Sequence, residues 1–153
     1  MTSAALLQTT RPLLLRLLDG VSEEDLLAIP EGFSNNILWN AGHIVVTQQL
    51  LHYGLSRLPL LVPDALLAQC RKGTSPRDWD TPPDADEVRR LAVELPRRLE
   101  EDLAEGRFTE FRPYTTSVGV ELEDFETALD FNLFHEGLHT GTIIELRKAL
   151  RRR

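Results

Sequence analysis

Apolar residues recur at three- and four-residue intervals along most of the chain, and strict alternation is nowhere sustained, so the pattern predicts helices. The first runs from Ser3 to Asp19, with Leu6, Leu7, Leu13, Leu14, Leu17 and Leu18 making a wide apolar face and Gly20 ending it. A short helical turn follows in SEEDLLAIP, opened by the capping-box spacing of Ser22 and Asp25 and closed by Pro30. A second long helix is expected after Ser34, a good N-cap, through NNILWNAGHIVVTQQLLHYGLSRL to Pro59. Its apolar residues are too numerous for a surface helix, which places it centrally in a bundle. VPDALLAQCRKG reads as a short connecting helix between Pro63 and Gly73, and TSPRDWDTPPD as a loop. The third long helix, Ala85 to Glu105, sets Val88, Leu91, Leu95, Leu99 and Leu103 on one side and charges on the other. Pro96 inside it is expected to kink it or remove one hydrogen bond. GRFTEFRPYTTSVGVEL reads as a loop with room for a short extended piece, and the last long helix runs from Glu123 to the C-terminus. Together these predict an all-α fold, a four-helix bundle with long crossover connections and short connecting helices. At 153 residues, the chain has the length of a single domain spanning 1–153.

Composition acts mainly by exclusion. With 42% hydrophobic and 27% charged residues the chain has an ordinary globular make-up. No apolar run approaches the ~18 residues of a membrane span. The start, MTSAALLQTTRPLLLRLLDG, lacks a basic region ahead of its apolar residues and a small-residue cleavage site, so it is expected to be a helix of the mature fold in a cytoplasmic protein. The single cysteine, Cys70, cannot form an internal disulfide, which agrees with a reducing compartment. With no histidine near it in sequence, it reads as a small buried hydrophobe rather than a catalytic thiol. A formal net charge of −7 argues against nucleic acid or an anionic membrane as partner. The basic ending RKALRRR is what a helix C-terminus favours.

Chemistry enters through four histidines, His43, His52, His135 and His139. The last pair lies in FHEGLHTG, an H-E-x-x-H pattern, and four-residue spacing puts both imidazoles on one helix face about 40° apart, able to share a metal ion. A zinc protease is disfavoured on three grounds. Only 14 residues follow His139, leaving no separate helix for a further ligand. The nearest downstream carboxylate, Glu145, turns about 120° away, and no strand presents an edge for an extended peptide. The alternative third ligand is His43, in the apolar segment ILWNAGHIVV, where Gly42 permits a close approach of a neighbouring helix or a ligand. Three neutral histidines on facing helices would leave coordination open for chemistry. His52, nine residues from His43, points about 180° away and belongs to no shared site.

Two motifs, NNILWNAGHIV and FNLFHEGLHTGTIIELRKAL, carry a W-N-x-x-H and an H-x-x-x-H arrangement in the second and fourth long helices. In these, and in the order of its helices over almost the whole length, the chain resembles the DinB-like, or damage-inducible-protein-like, superfamily of metal-binding four-helix bundles. The resemblance implies a divalent ion, usually zinc or nickel, held by His43, His135 and His139, and a homodimer. It also implies a metal-dependent enzyme that transfers a small thiol such as bacillithiol, mycothiol or glutathione to an electrophile, or a related hydrolase. The alternative is a metal-binding stress-response protein without turnover.

Four further residues stand near these ligands. Glu136 has two readings, a proton relay or support for the ligands on one side, an ordinary or inter-helix carboxylate on the other. Trp39 and Asn40, one turn before His43, are candidates to border a substrate, with packing and capping as the alternatives. Thr142, three residues past His139, is a candidate for the pocket wall. The stripe Phe125, Phe131, Phe134 and Leu138 reads as core or dimer contact. Arg107, Arg112 and Tyr114 could bind a carboxylate on a thiol, but exposed arginines are common and these residues stand outside the candidate site.

Overall fold

The computed structural model describes residues 1–151; Arg152 and Arg153, the end of the basic run, lie outside the described residues. Helix α1, Ser3–Leu18, starts at Thr2, whose hydroxyl accepts the Ala5 N–H at 3.2 Å. Helix α2, Glu23–Leu27, starts at Ser22, whose Oγ accepts the Asp25 N–H at 3.1 Å, as the capping spacing predicts. Helix α3, Ile37–Gln49, is capped by Asn36 rather than Ser34, the Asn36 Oδ1 accepting the Trp39 N–H at 2.8 Å. It also does not continue as a plain helix to Pro59. Over Leu50–Gly54 it widens into a π-helical turn, and Arg57, at φ 58°, breaks the chain away.

Helix α4 spans Asp64–Cys70, and the following loop contains only a single 3₁₀ turn, Pro76–Asp78. Helix α5, Ala85–Ala104, buries Val88, Leu91, Leu95 and Leu99 as its apolar stripe predicts. The extended piece between α5 and α6 is a small antiparallel hairpin, β1 (Tyr114–Thr115) against β2 (Glu121–Leu122), turning at Gly119 with φ 82°. Helix α6, Phe125–Leu150, is capped by Asp124, which accepts the Thr127 N–H at 2.8 Å.

The four long helices close a ring: α1 packs on α5 and α6, and α3 packs on the same two. Successive helices α1 and α3, and α5 and α6, therefore lie across diagonals, which is why the connections between them are long. Central α3 buries every residue from Ile37 to Val46, in accord with its predominantly apolar character. The apolar face of α1 is narrower than the sequence suggests: Leu7, Leu14 and Leu18 are buried, but Leu6 and Leu13 are each 40% exposed. On α6, Phe134 and Leu138 are each 54% exposed, so these two are not core. Among the described residues no helix is long and apolar enough to cross a membrane.

The middle of the bundle is polar, through a residue that its pattern does not announce. Arg11 shares the buried face of α1 with Leu7 and Leu14, and is 3% exposed. Its Nε and Nη2 donate to the two oxygens of Glu136 on α6 at 2.8 and 2.6 Å. Nη2 also donates to Gln48 Oε1 on α3 at 2.8 Å, and Nη1 to the Ala92 carbonyl on α5 at 3.1 Å. That carbonyl is free because the residue four positions on is Pro96, which has no N–H to give it. One guanidinium thus ties all four long helices together and satisfies the acceptor that Pro96 leaves open.

Candidate metal centre

His43, His135 and His139 come together from α3 and α6, each offering one ring nitrogen, with the three nitrogens within 4.8 Å of one another. The H-x-x-x-H spacing brings the α6 pair onto one face, and the packing of α3 on α6 supplies the third ring. Nε2 of His43 lies 3.2 Å from Nε2 of His135. Four-coordinate nitrogen ligands at ~2.0–2.1 Å from zinc stand ~3.3 Å apart, so this separation fits two ligands of one ion.

The surroundings fix which nitrogen faces the centre. The Cys70 carbonyl, at 2.7 Å, can only accept, so His43 Nδ1 carries the proton and Nε2 presents a lone pair. Asn40 does the same for His139. Its Nδ2 donates to Asn35 Oδ1 at 2.7 Å and to the Asn36 carbonyl at 2.8 Å, which turns its Oδ1 to accept from His139 Nδ1 at 2.8 Å. Two lone pairs therefore converge, and His135 Nδ1 is buried without a partner. A cation at the centre satisfies the converging nitrogens; their chemistry, three imidazoles, suits a divalent transition ion.

Protons compete poorly for the same position. Burial lowers all three rings from the ordinary histidine value. For His43 the Cys70 carbonyl offsets this only in part. His135 falls to about 3 and His139 to about 4, burial being reinforced by the neighbouring rings. Near neutral pH His135 and His139 are uncharged, and the lowered His43 leans the same way, as donors to a cation require.

The remaining expected residues are redistributed. Trp39 stacks on His43 with ring centroids 4.6 Å apart and planes 10° from parallel, while its Nε1–H donates to Thr74 Oγ1 at 3.0 Å. It supports a ligand ring from behind and does not line the cavity. Asn40 is fully buried and orients His139, so it too is a positioning residue rather than a substrate contact. Thr142 donates its hydroxyl to the Leu138 carbonyl of its own helix at 3.0 Å and stands away from the cavity wall. Glu136 is the inter-helix partner of its second reading: Arg11 holds both oxygens and Asn132 Nδ2 donates to Oε1 at 2.8 Å. In H-E-x-x-H proteases the glutamate serves as base, and here it faces the bundle interior.

Gly42 performs the close approach expected of it: a Cβ there would lie 2.5 Å from Cys70 Sγ. That contact lets α4 press on α3 and brings the Cys70 carbonyl to His43. The Cys70 thiol is fully buried, and burial raises it to about 12, which makes it an inert hydrophobe as expected. His52 is buried elsewhere, against Phe125, and does not join the site.

Beside His43 and His135 a cavity of about 330 Å³ opens, walled by Leu50, Leu51, Leu55 and Phe131. Thr47, whose hydroxyl is 3.4 Å from His43 Nε2, lines it, as do Tyr114, Thr116 and Ser117 of the hairpin. Arg112 and Tyr114 thus line this cavity, whereas Arg107 pairs with buried Asp102 at 3.0 Å. The hairpin is seated by Leu122, which packs with Leu51, Leu55 and Ala128, and by the Arg112 N–H donating to the Leu55 carbonyl at 2.7 Å. Lys72 completes this set. No periodic signal marks these residues, because they reach the site through a loop and a π-helical turn.

Comparison with known proteins agrees with this architecture. A family model described as the DinB superfamily matches residues 6–143, nearly the whole of the bundle. No curated protein matches the chain.

Proposed function

The chain belongs to the DinB superfamily, and from that membership and its three converging imidazoles we propose that it is a metal-dependent enzyme joining a small thiol to an electrophile. The observation carrying the reading is that three histidine nitrogens meet at the edge of a cavity that no carboxylate of the described residues lines. A divalent ion at that point, zinc or nickel by ligand type, supplies Lewis acidity that turns a thiol into a thiolate at neutral pH.

The chain's own residues do the rest. Cys70, Trp39 and Asn40 hold His43 and His139 in one tautomer and orientation, so the donors are in place before anything binds. The leucine and phenylalanine walls keep water from the reacting sulfur. Glu136 is held by Arg11 and Asn132 and does not line the cavity, so among the described residues no carboxylate borders the site. An ion on three histidines would bring bound water as well as a bound thiol into the neutral range, so the choice of a thiol as nucleophile rests on the family membership. A bacillithiol-like cofactor is in keeping with the size of the cavity. The reading also carries a homodimer, for which exposed Leu6 and Leu13 on α1 and Phe134 and Leu138 on α6 offer apolar contact.

The same absence of a protein base favours a second reading, a metal-binding stress-response protein without turnover. Purified protein loaded with zinc or nickel separates the two when incubated with small thiols and an activated aryl halide or epoxide. The enzyme reading expects thiol consumption above background that chelation abolishes, metal restores and His43→Ala lacks. Full metal loading with only background consumption would support the second reading instead.

A further inference from the structure

We propose that the cavity beside the three histidines accepts a small organic anion, with its charge between Lys72 and Arg112 and its apolar part against Leu50, Leu51, Leu55 and Phe131. The proposal names the ligand class of the site described above and rests on that reading only for the site's being catalytic.

Charge distribution carries the argument. The chain has 24 acidic and 17 basic residues, yet among the described residues the cavity is lined by two cations and no carboxylate. The cations from Arg89 to Arg107 are paired: Arg89 with Asp86, Arg90 with Glu94, Arg97 with Glu101, and Arg98 and Arg107 with Asp102. Lys72 and Arg112 have neither an ion pair nor a side-chain hydrogen bond within the described residues. On a surface this acidic, two unpaired cations at one cavity define its electrostatic preference.

Both are also anchored to the site through backbone. The Arg112 N–H is fixed on the Leu55 carbonyl of the turn that walls the cavity. Lys72 follows by two residues the Cys70 carbonyl that orients His43. Their backbones are therefore held beside the cavity, Arg112 by its bond to the Leu55 carbonyl and Lys72 by its nearness to Cys70, which limits the backbone entropy lost on binding a ligand. An apolar wall beside the charges lowers the local dielectric and strengthens an ionic contact. A bare inorganic anion would leave the apolar wall unused, and a neutral ligand would leave the cations unmatched. At about 330 Å³ the cavity is at the small end of the ~300–1,000 Å³ range of ligand pockets, which suits a metabolite rather than a peptide.

The test is calorimetric titration of 4-phenylbutanoate, its primary amide and inorganic phosphate into wild-type protein, both zinc-loaded and metal-free. The carboxylate is expected to bind at least about tenfold more tightly than the amide or phosphate in both forms, with an affinity that falls as salt rises. In Lys72→Gln/Arg112→Gln the preference over the amide disappears, and in Lys72→Arg/Arg112→Lys, which keeps both charges, it remains. Equal binding of carboxylate and amide, a preference surviving in the double glutamine variant, phosphate binding as tightly as the carboxylate, or no binding of any probe would each overturn the proposal. Zinc content measured on the same samples separates the two readings. Protein that binds no zinc but prefers the carboxylate removes the metal-enzyme reading alone, whereas zinc-loaded protein without the preference removes the anion proposal alone.

Discussion

Replacing Arg11 by Met tests the polar centre of the bundle and, through it, the role of Glu136. In wild type the guanidinium is 3% exposed and its partner 7% exposed, with two direct contacts of 2.8 and 2.6 Å. Removing the cation leaves a buried carboxylate with only Asn132 as donor. Breaking a buried pair from one side typically costs ~3–5 kcal/mol, and the stranded Ala92 carbonyl adds ~1–3 kcal/mol. Against a total stability of ~5–15 kcal/mol, a loss of even ~3 kcal/mol is severe, and at ~2–4 °C per kcal/mol it lowers Tm by at least ~6 °C. Replacing both partners, in Arg11→Met/Glu136→Met, removes the unpaired charge, and the double variant is expected to be at least ~2 kcal/mol more stable than the sum of the single losses implies. Urea denaturation of the four metal-free proteins measures this coupling. Strict additivity, or an Arg11→Met loss below ~1 kcal/mol, would refute the reasoning. Glu136→Gln should likewise lose stability while its folded form keeps the wild-type metal content. A stable Glu136→Gln protein with impaired turnover would instead restore the proton-relay reading.

Three further predictions follow from the site and its supports. Asn40→Leu removes the acceptor that orients His139 and should weaken metal affinity ~10–100-fold in chelator competition, with one ion per chain still bound at saturation; unchanged affinity would deny the positioning role. Gly42→Ala sets a Cβ 2.5 Å from Cys70 Sγ and should destabilise by ~1–3 kcal/mol by urea denaturation, with Cys70→Ala in the same chain relieving part of the loss; an unaffected single variant would show that α4 yields freely. His52 is fully buried and held near 3 by burial and by the Arg11 charge, which the Ala128 backbone offsets only in part. Below its ordinary value of 6.5 the unfolded ring takes up a proton that the folded ring refuses until about pH 3, so this residue makes stability fall as pH drops through that window. In metal-free protein His52→Leu should remove ~2 kcal/mol of the stability difference between pH 7 and pH 5, and an undiminished difference would contradict the burial argument.

What could be read in the sequence is what depends on near neighbours. The apolar periodicities of α1, α3, α5 and α6 located the four long helices, and Ser22 with its three-residue spacing located α2. The His135 and His139 pair was legible because four-residue spacing alone sets its geometry, and His43 because that pair calls for a third ligand from a facing helix and the W-N-x-x-H motif of the family supplies one. The cap of α3 was misread because Ser34, Asn35 and Asn36 are all good capping residues; their distinct roles emerge only when Asn40 and Trp39 are in place. Arg11 was hidden for a different reason. Its burial is stabilised by Glu136, more than a hundred residues away, and by a carbonyl that a proline on a third helix frees. Glu136, Asn40 and Trp39 were noticed from their closeness to the ligands, but helix spacing does not say whether a side chain supports a ligand from behind or faces the substrate. Lys72, Arg112 and the hairpin hydroxyls depend on how loops return to the bundle, and no local pattern encodes that.

The central claim, that His43, His135 and His139 hold one divalent ion, is tested most directly by metal analysis of protein purified without a metal-binding tag. Wild type, His43→Ala and His139→Ala are each equilibrated with zinc or nickel, desalted and assayed for ions per chain. The account predicts about one ion per chain in wild type and its loss in both variants. No ion in folded wild type, or an ion retained undiminished by both variants, would contradict it.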